Sequence, residues 1–168
     1  MPSYSLEREQ VAAWPLSEVF DFFSRAENLE ALTPDFLRFR ILTPLPIELK
    51  PGAVIEYRLS LYGIPVRWKT LIEVWEEGRR FVDVQAKGPY RTWRHEHGFE
   101  ALGGNTLIRD RVDYSLPFGP LGRLAHALFV RRSVRRIFDY RREKIAALMG
   151  PRAGGNGTMV GKTGEGKE

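Results

Sequence analysis

The sequence predicts an α+β fold, a curved antiparallel sheet of about seven strands wrapped around one long C-terminal helix, with two short helices after the first strand. Three observations lead there. The strand-like runs that follow Pro51-Gly52 are joined by only a few residues each. A parallel crossover takes roughly a dozen or more, so these strands must form an antiparallel meander. A helical pattern then runs from Pro120 to Met149, and no other element is long enough to cover one face of such a sheet.

Residues 4–13 alternate weakly and read as the first strand, which ends at Trp14-Pro15. Ser17 is expected as a helix N-cap, with Glu18 in the first turn. The run that follows carries Val19, Phe20, Phe22, Phe23, Leu29 and Leu32. It reads as two short helices divided near Glu27-Asn28 and stopped ahead of Pro34, because proline clashes with a helical predecessor. A short strand is expected over 38–42, and longer ones over 53–62, 66–75, 80–86, 91–101 and 106–116. Their joints fall at Gly63-Ile64-Pro65, Glu76-Glu77-Gly78, Gly88-Pro89 and Gly103-Gly104-Asn105. Pro120 suits the first turn of the final helix. Leu121, Leu124, Ala125, Leu128, Val134, Ile137, Phe138, Ile145 and Leu148 form its apolar side. Unbroken, it would span more than ~40 Å at about 1.5 Å per residue. A twisted sheet curled around one helix rarely closes fully, and the gap at one end is the natural place for a ligand.

The folded domain is expected over residues 1–149. From Gly150 the chain is rich in glycine with almost nothing to bury, so residues 150–168 read as a disordered tail. There is no cysteine, which excludes disulfides and thiolate metal sites. No apolar run has signal-peptide length or approaches the ~18 residues of a membrane span, so a cytoplasmic location is expected. The net charge is +5 and the pI near 9.7. The excess collects on the final helix, where Arg123, Arg131, Arg132, Arg135, Arg136, Arg141, Arg142 and Lys144 face only Asp139 and Glu143. This face is either a solvated exterior or a surface for an anionic membrane. Nucleic acid is not expected, since the aromatics fall on inner faces instead of interleaving with the arginines. Gly161-Lys162-Thr163 is no phosphate loop, because Asn156 stands where its first glycine belongs.

Several segments together resemble one superfamily. They are Asn28-Leu29-Glu30-Ala31-Leu32-Thr33-Pro34, Gly52, Phe81-Val82-Asp83, Gly88-Pro89, and the alternating Trp93, His95, His97 and Phe99. Gly104-Asn105-Thr106, the spaced Asp110, Val112, Tyr114 and Pro117, and Arg141 complete the set. Over residues 3–148 the chain is similar to the helix-grip fold of the START, birch-pollen-allergen and polyketide cyclase/dehydrase groups, the SRPBCC superfamily. It resembles most the small bacterial stand-alone ligand-binding SRPBCC proteins. The resemblance implies an internal cavity for lipids, polyketides or other apolar compounds. Only some branches are enzymes, so it implies a fold and a ligand class but no reaction.

Strand alternation places Trp93, His95, His97 and Phe99 on one inward face. Asp110 and Tyr114 share such a face on the next strand, and Phe81, Asp83 and Gln85 on the preceding one. Tyr57, Trp68 and Thr70 mark a further inner wall, with Leu128 and Phe138 contributed by the helix. An unpaired buried polar group costs roughly 1–3 kcal/mol. The inward polar residues must therefore bond each other, as a structural network, or hold a ligand that carries a carbonyl or hydroxyl. His95, His97 and Asp110 are the candidates for acid–base catalysis, as in the cyclase-like and hydratase-like relatives. His-x-His with Asp110 could also chelate a metal, but nothing else in the chain demands one and no cofactor is expected. The resemblance further implies that Arg141 pairs with an inward carboxylate. The expected partner is thus a small apolar molecule with a polar group. An enzyme of cyclase, dehydratase or hydratase type, and an accessory module acting on a partner protein, are the alternatives.

Overall fold

A computed structural model describes residues 3–151. The expected tail therefore lies, from residue 152 onward, outside the described residues. Strand β1 (Tyr4–Ala12) leads into helices α1 (Leu16–Phe23) and α2 (Asn28–Ala31), a single 3-10 turn (Asp35–Leu37) and the two-residue strand β2 (Arg40–Ile41). Then come β3 (Val54–Leu61), β4 (Ile64–Glu76), β5 (Arg80–Lys87), β6 (Thr92–Leu102) and β7 (Asn105–Ser115). The final helix comprises α3 (Gly119–Ala125), a wider π turn (His126–Val130) and α4 (Arg131–Leu148). The seven strands form one antiparallel sheet in the order β1-β7-β6-β5-β4-β3-β2. The meander from β3 to β7 is thus as expected, and β1 closes it by pairing with β7.

The turns follow from backbone freedom. Leu102 pairs with Asn105 across Gly103-Gly104, both at positive φ (+55° and +87°), the two-residue geometry whose twist matches that of the strands. The β3–β4 turn has the same form with Tyr62 at 53° and Gly63 at 85°. Pro65, expected in this joint, lies inside β4 instead. It pairs with Ser60 on one side only, since the pairing of β4 with β5 begins at Lys69, so its missing N–H leaves no ladder bond unmade. Register shifts at Lys69/Thr70 and Ile72/Val74 are bulges that bend the middle of the sheet.

Ser17 is not the cap of α1. The helix starts at Leu16, and the carbonyl of Pro15, held extended at ψ 150°, accepts the N–H groups of Glu18 and Val19. The core is packed from three sides. Val19, Phe20 and Phe23 of α1 meet Phe81, Phe99 and Ile108 of the sheet and Ile145 and Met149 of the helix. Val134 and Phe138 rest on Val112 and Tyr114. Ala13 N–H donates to Met149 O at 2.8 Å, which ties the helix end to the end of β1.

The apolar side expected for the long helix holds for only part of its length. Val134, Phe138 and Ile145 are buried, but Leu121, Leu124, Leu128 and Leu148 are exposed. The inward positions run Gly122, His126, Val134, Phe138, Arg141, Ile145. A π turn takes up one residue more than an α turn and so rotates the segment before it by roughly a quarter turn. Leu121, Leu124 and Leu128, aligned with the core at α spacing, are carried to the outside.

Candidate functional site

Between the sheet, α1–α2 and α4 lies a cavity of ≈ 170 Å³. Its walls are largely apolar: Phe22, Phe23, Leu29 and Leu32 from the first two helices, Ile55, Leu59, Trp68 and Ile72 from β3 and β4, Ile137 and Phe138 from α4. One wall is polar, and strand register builds it. Asp83 of β5 stands opposite His95 of β6, and His97 of β6 opposite Asp110 of β7. Since all four side chains point inward, two histidines and two carboxylates meet, and Arg141 reaches them from α4.

The contacts are short and nearly all buried. His95 Nε2 lies 3.0 Å from Asp110 Oδ1, and His97 Nε2 3.0 Å from Asp83 Oδ2. His97 Nδ1 is 3.0 Å from Asp110 Oδ1 and 3.3 Å from Arg141 Nη2. Arg141 Nε is 3.6 Å from Asp110 Oδ2, an ion pair too long for a hydrogen bond, and has no hydrogen-bond partner among the described residues. His95 Nδ1 sits 3.6 Å from Asp83 Oδ2, also beyond hydrogen-bond reach. The ring of His97 stacks on Phe81 at 4.2 Å.

Charge follows from these distances. Burial pushes Asp110 toward its neutral form, but the Arg141 charge and the bonds from His95 and His97 outweigh it and hold the carboxyl well below its ordinary range. Asp83 is likewise lowered, with burial overcome by the His97 bond and by electrostatic interaction with the two histidines and Arg141. Burial, reinforced by the neighbouring His97, pulls His95 down to about 4 against its two carboxylates. Asp83 and Asp110 are therefore ionised at neutral pH and His95 is neutral. With Nε2–H given to Asp110, His95 turns the lone pair of Nδ1 toward Asp83. Two acceptors thus face each other with no donor between them.

Of the residues singled out in the sequence, Tyr57, Trp68, Thr70, Phe81, Asp83, Trp93, His95, His97, Phe138 and Arg141 line the cavity. Asp110 stands behind the histidines and orients them. Gln85 instead clamps the β5–β6 turn, donating to Tyr90 O at 2.8 Å and accepting from Tyr90 N at 3.2 Å. Phe99 belongs to the core beneath, packed on Phe20 and Phe23. Tyr114 serves the helix, its hydroxyl 3.0 Å from His126 Nε2, while His126 stacks on Tyr4 at 3.4 Å. Leu128 is exposed and does not reach the cavity, for the π-turn reason above. Sequence reasoning missed Leu37, Phe39 and Leu49, which line the site from the segment between α2 and β3, where no period marks an inner face. It also missed two polar details. Tyr57 and Thr70 share a hydrogen bond of 3.2 Å across β3 and β4. Trp68 Nε1 is buried at the cavity with no partner among the described residues.

Comparison with known proteins agrees with this architecture. The Zhui aromatase/cyclase of a Streptomyces species superposes with a TM-score of 0.62 at 14% identity, over 89% of this chain and 98% of that one. A START superfamily protein of Mycobacterium smegmatis gives 0.62 at 12%, over 86% and 96%. A nucleoside-diphosphate sugar epimerase of Corynebacterium glutamicum gives 0.58 at 24%, over 84% of this chain but 28% of that one. At these identities the likeness shows the fold alone, a helix-grip architecture. No curated protein matches by sequence. A family model does match residues 13–139, which hold α1, the sheet from β2 to β7 and most of the gripped helix, and the chain thereby belongs to the polyketide cyclase/dehydrase and lipid transport family.

Proposed function

We propose that this chain binds a small, largely apolar molecule of about single-ring size, whose hydroxyl or other hydrogen-bond donor meets Asp83 and His95. One observation carries the reading: an apolar cavity on one wall of which His95 Nδ1, without a hydrogen bond among the described residues, lies 3.6 Å from Asp83 Oδ2, which His97 already bonds. Size sets the ligand class, since a cavity of about 150 Å³ holds benzene. The unpartnered Trp68 Nε1–H supplies a second point, for an oxygen acceptor on the same molecule. A site built around a donor strongly disfavours an analogue that lacks it, because its own acceptors stay unpaired. Calorimetric titration with phenol and toluene tests this. Phenol should bind at least ~10-fold tighter, corresponding to about 1.4 kcal/mol, and His95→Ala should erase the preference. Equal affinity for the two would overturn the reading.

A catalytic reading has its own support. The neutral imidazole of His95, oriented by the Asp110 carboxylate at 3.0 Å, is arranged as a general base for proton abstraction or dehydration. It predicts that the molecule recovered from the protein is converted on incubation, and that His95→Ala stays folded but inactive.

The outer surface supports a site of exchange. Phe118, Leu121, Leu124, Leu128 and Phe129 are all more than half exposed on the start of the helix, beside exposed Arg123, Arg131 and Arg132. Apolar side chains rimmed by arginine suit an anionic lipid surface. No described helix is long and apolar enough to cross a membrane.

A further inference from the structure

We propose that Asp83, His95 and His97 form a site for one divalent transition-metal ion of the zinc or ferrous type, with Asp110 as the residue that orients both histidines. Their donor atoms lie within 4.8 Å of one another. Bonds of about 2.1 Å place two ligands of one ion no more than ~4.2 Å apart, so the site needs only a small contraction. The observed separations of Asp83 Oδ2 from His97 Nε2 (3.0 Å) and from His95 Nδ1 (3.6 Å) already fall inside that limit.

The second layer is what separates this cluster from an ordinary buried network. A histidine that ligates a metal usually passes its other ring nitrogen to a carboxylate, which fixes the ring and its tautomer. Here one carboxylate serves both rings. Asp110 Oδ1 is 3.0 Å from His95 Nε2 and 3.0 Å from His97 Nδ1, the two nitrogens turned away from Asp83. The remaining pair, His95 Nδ1 and His97 Nε2, both converge on Asp83 Oδ2. On metal binding the proton of His97 would sit on Nδ1, donated to Asp110, leaving Nε2 free to ligate. Charge favours the same outcome, because the buried Asp110 and the partly buried Asp83 face one buried arginine. His-x-His and Asp83 lie on neighbouring strands, a rigid mount. All three ligands come from one wall, so further coordination positions open into the cavity, toward water or an organic ligand. Asp110, the third ligand the sequence suggested, stands behind the site instead.

This inference is independent of the organic-ligand reading. Metal uptake is measured with no organic ligand present, and organic-ligand binding on chelator-treated protein, so each fails separately. Tag-free chain is stripped with chelator, then titrated with Zn2+, Co2+ and anaerobic Fe2+, with metal content read by elemental analysis. The expected result is a single equivalent of at least one ion and, with Co2+, visible ligand-field absorption. Asp83→Ala and His95→Gln, each checked for fold by circular dichroism, should lose that equivalent. Asp110→Asn should retain it with affinity lowered roughly 10–100-fold. Absence of uptake by the folded wild-type chain, or uptake unchanged in the folded Asp83→Ala variant, would overturn the proposal.

Discussion

Arg141 is the arginine the fold takes inside, 7% exposed among α4 residues whose other arginines face water. Taking a guanidinium out of water is costly, and the Asp110 carboxylate, 3.6 Å from Nε, offsets that cost. Arg141→Met would remove the cation and leave Asp110 buried without its strongest charge partner. Urea unfolding should show a loss of about 3 kcal/mol. Asp110→Asn added to Arg141→Met should restore part of it, and additive losses in that double-mutant cycle would mean the two are not coupled. The meeting of these side chains was legible in the sequence because strand alternation admits only two faces. A one-residue slip would have put every histidine and carboxylate in solvent. What alternation does not reveal is depth. Asp110 and Tyr114 share the inward face of β7, yet one backs the histidines and the other bonds His126, because the coil of the sheet carries them to different ends of the helix.

At the scale of elements, the joint between β7 and the final helix depends on Gly122. A Cβ there would lie 2.1 Å from Pro117 O and 3.3 Å from Leu116 Cβ, so a side chain cannot be added without moving backbone. Gly122→Ala should therefore destabilise by about 2 kcal/mol, read from the shift of the urea midpoint at unchanged slope. A loss within experimental error would show that α3 is free to move. Strands and their turns were legible to within a residue or two, since glycine at positive φ and short joints leave little choice. The π turn at His126–Val130 was not. Its sequence has ordinary helix formers, and its wider turn is favoured by burial of His126 against Tyr114 of β7 and against Tyr4, which lies far away in the chain. The inner face of 38–53 was equally hidden, because that segment packs by contact and carries no periodic pattern.

For the whole molecule, the fold class was legible because one long helix and a meander with short joints have few ways to pack. Cavity size was not, since it depends on how far the sheet curls. The exposed helix start and the adjacent arginines predict binding to vesicles of anionic lipid that weakens as salt rises. Leu124→Glu together with Leu128→Glu should abolish it, and equal binding to neutral vesicles would refute it. The same face has a second contributor. The tip of the β3–β4 hairpin, where β4 has a partner on one side only, exposes Tyr62 and Ile64 and sets the ring of Tyr62 6.1 Å from Phe129. Tyr62 directly follows Leu61, and Leu61 lines the cavity. A lipid surface that draws this tip away from the helix would pull on the wall of the pocket itself, so docking and discharge of the guest become a single mechanical event. Faster escape of a bound phenol on adding anionic vesicles is the expected signature, and an unchanged escape rate at full vesicle occupancy would show the latch does not exist.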